Sequence, residues 1–254
     1  MKKFAAILVG FSAFLMSGCF DIEQTLTLER DMSGKAGFSM KVDMEPMVVM
    51  MAAMQKSMSG KTGDPTPAEI AAARKDFTEK GTTSSTGDFE KEKKELEGKL
   101  PKGVKLLDAT FKDEGLKVAA MLTFAFDNAS KLSQIVLPKK EGAAAGPGDN
   151  PVDTPFEDLT LVDDGKTVLI TSTIQNPMAD ETAQAPPDAE MQKQIASMFG
   201  TLRVAFKITA PFEILEQNAT RKEGNTLIWE YDVKSLAKMT PAQLKDGIRV
   251  RYKK

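Results

Sequence analysis

The sequence predicts an α+β fold: a mainly antiparallel β-sheet built from hairpins, with a few short helices and disordered inserts. Three observations predict it. Leu116, Val118, Ala120, Leu122, Phe124 and Phe126 take alternate positions, the period of a strand with one buried face, and Lys112-Asp113-Glu114-Gly115 joins them to the run Val104 to Phe111. Two more pairs of strand-like runs flank short polar turns, Ile22 to Leu28 and Ala36 to Met44 around Asp31-Met32-Ser33-Gly34, and Phe156 to Val162 and Thr167 to Ile174 around Asp163-Asp164-Gly165-Lys166. Helical spacing is confined to short stretches, so runs of strands are not interleaved with long helices.

The chain opens with a segment of another kind. Lys2 and Lys3 precede an almost wholly apolar run from Phe4 to Met16, shorter than a spanning helix and suited to a secretion leader. Small residues follow. Leu15-Met16-Ser17-Gly18-Cys19 resembles the lipobox of bacterial lipoproteins, with Met16 where leucine is commoner. The resemblance implies that residues 1–18 are a lipoprotein signal peptide, that the Cys19 sulfur receives a diacylglyceryl group, and that the new amine is acylated after cleavage. Several acyl chains anchor a protein stably where one is marginal. The expected partner is therefore a membrane, reached through lipidated Cys19. Phe20 stands where aspartate would favour retention in the inner membrane of enteric bacteria, so the resemblance leans to the outer membrane where there is one. The other reading is an uncleaved membrane anchor with a buried, inert cysteine.

Residues 19–254 are expected to form a single domain. Pro46 opens a helix carrying Met47, Met50, Met51, Met54 and Met58 at helical spacings. Ser59 to Gly87 reads as a polar insert with a short helix at Pro67 to Phe77, and Phe89 to Leu100 as a charged surface helix. A short helix is expected around Ala129 to Val136. Two further inserts follow, Lys139 to Pro155 and Asn176 to Pro187, and Asp188 caps a helix through Phe199. Strands at Leu202 to Ile208, Phe212 to Gln217, Thr226 to Tyr231 and Ile248 to Tyr252 close the chain, with a helix near Val233 to Met239.

Composition narrows function by exclusion. The chain has no histidine and a single cysteine, which removes histidine-based triads, imidazole metal sites, thiolate clusters and an internal disulfide. A formal net charge of −2 argues against a nucleic-acid partner. Carboxylates are plentiful, but no pair stands out for acid–base work and no Ser-Lys motif is recognised. No cofactor is expected, and the protein reads as non-enzymatic.

The methionines are the most unusual feature: six of the 15 lie between Met44 and Met58. They fit an adaptable apolar surface for acyl chains or a partner, a thioether site for Cu(I), or a core helix packed on the sheet. Met47, Met50, Met51 and Met54 are the candidate surface, with Trp229 either lining a ligand cavity or filling the core. Asp163-Asp164-Gly165 lacks the spaced carboxylates of a calcium loop and reads as a turn. Asn218-Ala219-Thr220 fits a glycosylation pattern that belongs to another secretory system.

Two regions carry a second resemblance. The hairpin Ile22 to Met44 directly follows the lipobox cysteine. Far downstream come Ala210-Pro211-Phe212-Glu213-Ile214-Leu215, then Asn218-Ala219, then Gly224-Asn225-Thr226-Leu227-Ile228-Trp229. Together these resemble the LppM-type domain of bacterial lipoproteins, although members often have Pro-Gly at Pro211-Phe212 and Asn-Gly at Asn218-Ala219. The resemblance implies a sheet-rich envelope domain with a lipid-binding role and no known catalysis. The expectation is a membrane-anchored envelope lipoprotein that binds a lipid, another hydrophobic ligand or a partner protein. The alternative is a Met-rich envelope copper-binding protein.

Overall fold

The computed structural model describes residues 20–80, 86–137, 156, 158–174, 202–236 and 238–254. Eleven strands and five α-helices are seen among them: β1 (Phe20–Leu28), β2 (Gly34–Asp43), α1 (Glu45–Met58), α2 (Pro67–Lys80), α3 (Thr86–Lys99), β3 (Val104–Asp113), β4 (Lys117–Phe126), β5 (Thr160–Asp163), β6 (Thr167–Ser172), β7 (Leu202–Thr209), β8 (Glu213–Gln217), β9 (Arg221–Glu223), β10 (Thr226–Asp232), α4 (Val233–Leu236), α5 (Pro241–Asp246) and β11 (Ile248–Lys253). The α+β class and the antiparallel hairpins are as expected. Cys19, the leader, the inserts 139–155 and 176–187 and the helix expected at 188–199 lie outside the described residues.

The strands form two sheets. The larger runs β3-β4-β2-β1-β7-β10-β9 and the smaller β5-β6-β11-β8. One pairing departs from the antiparallel pattern: β1 lies parallel to β7, with Phe20 opposite Leu202 and Thr27 opposite Thr209. The first strand of the domain is thereby central, held between β2 and β7. After β7 the chain leaves the large sheet at Ala210, and β8 joins the small one. The two sheets share one apolar cluster, with Leu26, Phe38, Phe124 and Ile208 from the large sheet and Ile170 and Val250 from the small one.

The hinge between the sheets is a hydrogen-bonded asparagine. Asn218 Oδ1 accepts from Trp229 Nε1 at 2.8 Å and from the Arg249 backbone N–H at 2.8 Å, while its Nδ2 donates to the Gly247 carbonyl at 2.8 Å. Trp229 belongs to the large sheet and Arg249 to the small one, so a single amide ties them. Gly247 fits because its φ is +44°, and a Cβ there would collide with the Ser172 carbonyl.

The helices differ from expectation in four ways. The stretch read as a polar insert contains α2, longer than the short helix expected there and packed on α1: Val48 and Ala52 meet Ala73, flanked by Met51, Ile70, Phe77 and Leu116. Small residues let the two axes approach closely, and ion pairs from Lys56 to Glu69 and from Arg74 to Glu45 close the outside. The charged helix α3 is not wholly a surface element, since Leu96 is buried and Phe89 stacks on Phe111 at 5.5 Å. Residues 129–134 form a 3-10 turn, and α5 was not expected although Thr240 and Gln243 form a capping box in front of it.

A candidate apolar trough at one end of the sheet

Strand register turns the apolar alternation into rungs that cross the large sheet on one face. The rung Leu106, Phe124, Ala36, Leu26, Ile208 and Leu227 is buried from Phe124 onward. The next rung is Ala109, Leu122, Phe38, Gln24, Phe206 and Trp229, and every member but Gln24 is buried. The third is Phe111, Ala120, Met40, Ile22, Val204 and Tyr231. All six of these are non-polar or aromatic, and all six are only half-buried. Burial thus falls across these three rungs on β4, β2 and β1, whereas on β7 the outermost residue, Leu202 opposite Phe20, is buried again at 3%.

The half-buried rung has walls. On the β3 side α3 brings Phe89 over Phe111. On the other side Leu236, with Val233, Met239 and Leu244, packs around Phe20, Val204 and Tyr231. The small sheet closes the far end. Between them lies a half-buried apolar strip on β4, β2 and β1, a candidate trough, with Val118 and Val42 half-buried at its outer end. Burial pushes the Tyr231 hydroxyl above its ordinary pKa, as the low-polarity setting requires.

The opposite face of β1 and β7 carries a network of ion pairs beside buried Ala205 and Ile228. Arg203 bonds Asp21 at 2.8 Å and Glu23 at 3.3 Å and reaches Glu230 at 3.4 Å, and Lys207 pairs with Glu23 at 2.9 Å. Burial disfavours the Arg203 charge, but bonds to Asp21 and Glu230 outweigh it and hold the guanidinium above its ordinary value. The network staples β1 to β7, and its carboxylates are engaged in ion pairs.

The candidate residues named from sequence land in different environments. Trp229 is fully buried, stands edge-on to Phe206 at 6.3 Å and gives its N–H to Asn218, so it anchors the core below the trough. The methionines of α1 do not form a core face on the sheet; the buried face is Val48 and Ala52. Met51 packs into the α1–α2 cluster, Met47 and Met50 are half-buried, and Met54 and Met58 are 50% and 86% exposed. The Met stripe lies beside the packed face because alanines and Val48 fit the α2 contact better than long side chains do. The helix leaves β2 at Asp43, so the stripe starts at the trough end of the sheet. Of the four methionines proposed for copper, one packs into the α1–α2 cluster, two are half-buried and one is exposed. Asn218 spends its amide on Gly247. Asp163 and Asp164 do close a turn: Asp163 accepts from Gly165 N at 2.9 Å, and Asp164 from Lys166 N at 2.8 Å and Thr167 N at 2.6 Å. Among the described residues no cluster of three or more acidic or cysteine side chains gathers to hold a metal, and no helix is long and apolar enough to cross a membrane.

The sequence reading did not single out Ile22, Met40 and Tyr231 as a surface.

No protein-family model matches the chain, and no curated protein matches it in sequence. Among solved structures, the NMR structure of the folded domain of LppM from Mycobacterium tuberculosis aligns over 93% of this chain and 90% of that one, at 12% identity and a TM-score of 0.41. At that identity and TM-score, function is decided by this chain's own residues.

Proposed function

We propose that the protein is a membrane-tethered envelope lipoprotein whose domain binds the acyl part of a lipid in the trough, without catalysing a reaction. One observation carries this reading: an all-apolar rung across six strands is left half-buried at the end of the sheet where Cys19 would enter the membrane. Apolar surface in contact with water is costly at roughly 25 cal/mol per Å², so a ligand that covers the rung gains what the fold forgoes. Cys19 directly precedes β1, and β1 is a central strand stapled to β7. The tether therefore has no slack, and acyl chains on Cys19 would set the trough end against the bilayer. Met47, Met50 and Met54 extend the apolar surface at that end. The division of the methionine sulfurs favours this role over copper binding. Support for a binding role over catalysis comes from the side chains themselves: the chain has no histidine, and the acidic groups nearest the trough lie on the opposite face in ion pairs.

The test has two readouts on one preparation. The full chain is expressed in a bacterium fed radiolabelled palmitate, extracted from the membrane fraction and examined by native mass spectrometry. Label is expected in the wild type and absent from Cys19→Ser, and the wild type is expected to carry a co-purifying acyl lipid. Label retained in Cys19→Ser would remove the anchor. Lipid-free protein that also fails to take up added phospholipid would remove the trough.

A further inference from the structure

A surface helix ordinarily turns its charges to water and its apolar stripe to the protein. Helix α1 does the opposite. Its two charged residues are engaged with the α2 side: Glu45 pairs with Arg74, and Lys56 pairs with Glu69 at 3.4 Å and donates to the Asp64 carbonyl at 2.6 Å. At about 3.6 residues per turn, the side turned away from buried Val48 and Ala52 carries Pro46, Met47, Met50, Ala53, Met54 and Met58. Ser57 is the one polar residue among them, and no charge lies on that side, in a chain of which 28% is charged. None of these four methionines belongs to an apolar cluster among the described residues, and Met54 and Met58 stand largely in the open.

The helix also starts beside the residue that would carry the anchor. Phe20, directly after Cys19, is the register partner of Val42. Glu45, the first residue of α1, follows Val42 by three positions, a reach of at most about 10 Å. The Met44 N–H donates to the Leu116 carbonyl at 2.7 Å, and Leu116, at the head of β4, is the only described residue from outside the two helices in their shared cluster. The α1–α2 pair is thus attached at the end of the sheet where β1 begins.

We infer that the outward side of α1 lies in the interface of the bilayer that holds the acyl chains of Cys19, as a second, non-covalent membrane contact. The inference rests on the lipid anchor of the reading above and adds a membrane-binding surface to it. A helix lying in the interface sinks its apolar side about 5–10 Å into the headgroup and acyl boundary. Its 14 residues make α1 about 21 Å long, so it would lie along the membrane surface. A side without charges enters that layer with no ion to desolvate, and flexible thioether side chains adapt to disordered acyl chains.

Lipidated Cys19 leaves no free thiol, so an added cysteine is the single labelling site. The full chain is extracted from the bacterial membrane fraction as Met54→Cys, Met58→Cys or Lys222→Cys, the last on β9 at the sealed end of the sheet. Each is labelled with the fluorophore NBD and reconstituted into vesicles of phosphatidylethanolamine and phosphatidylglycerol. The labels at 54 and 58 are expected to emit further to the blue and to be quenched by phospholipid spin-labelled near the top of its acyl chain; the label at 222 is expected to do neither. Met50→Glu added to Met54→Cys should lose most of the shift and the quenching while keeping palmitate on Cys19 and helix content by circular dichroism. Water-like emission at 54 and 58 in palmitate-bearing protein overturns the inference and leaves the anchor standing. A blue shift without lipid quenching means that a second copy of the chain covers the face, and overturns it as well. Labelling of the wild type at Cys19 shows an unlipidated cysteine and overturns the anchor and the inference together.

Discussion

The two ends of the large sheet carry side chains of the same kind and bury them differently. At one end Leu26, Phe124, Ile208 and Leu227 are sealed beneath the small sheet. At the other, Ile22, Ala120, Val204 and Tyr231 stand on the same strands, on the same face, four residues further along, and remain half-buried. Hydrophobicity does not distinguish them. The sealed end has a second sheet over it, tied to the first by the three side-chain hydrogen bonds of Asn218, whereas only Leu236 and its neighbours pack at the other end, on the β7 side. A layer of apolar side chains closes only where something fixes the layer above it.

The largest test of that comparison is truncation at each end. Trp229→Ala should cost about 3–5 kcal/mol by urea denaturation, since it empties a fully enclosed site. Met40→Ala, one rung towards the open end, should cost about 1 kcal/mol, because its side chain is already partly in water. Equal costs would show that both ends are sealed in solution and that no trough exists.

A smaller effect is expected from Asn218→Ala. It leaves the Trp229 N–H, the Arg249 N–H and the Gly247 carbonyl without their partner, at about 2–3 kcal/mol in the same assay. If the amide is what holds the second sheet, hydrogen exchange should speed up in β11 and β8 more than in β2 and β4. Uniform acceleration would make the loss merely global and break the scaffolding argument.

The smallest effect concerns the rim of the small sheet. Lys254 bonds Asp163, and with the Gly165 N–H it holds that carboxyl below its ordinary 3.8. A lowered folded pKa means that the contribution is complete above the unfolded value and is lost as pH falls through the folded one. Asp163→Asn should therefore melt slightly below the wild type near about pH 7, and the gap should close as the pH falls through the carboxyl's lowered pKa. A gap that persists in acid would assign the effect to turn geometry instead of charge.

Much of this structure was legible in residue order. Period-two alternation in Leu116 to Phe126 and Phe38 to Met44 gave the strands, and Asp-Gly and Ser-Gly turns gave the hairpins, because both signals are local. Half of the trough was legible too, since the apolar character of Ile22, Met40 and Ala120 follows from the same alternation. The Met stripe was visible as a helix, but its partner was not. Which face of α1 is buried depends on Ala73, a residue in a stretch whose polar composition pointed to an insert.

By itself, then, the sequence determined which residues alternate, where the chain turns, which face of each strand is apolar, and that the single cysteine follows an apolar N-terminal run. Only the tertiary structure decided that β1 pairs in parallel with β7, that Asn218 joins two sheets, and that the apolar face is covered at one end and left half-open at the other. Those outcomes depend on contacts between residues as far apart as Asp21 and Arg203, separated by 182 positions. No periodicity within a strand records which distant strand will lie beside it, or which part of its face that neighbour will cover.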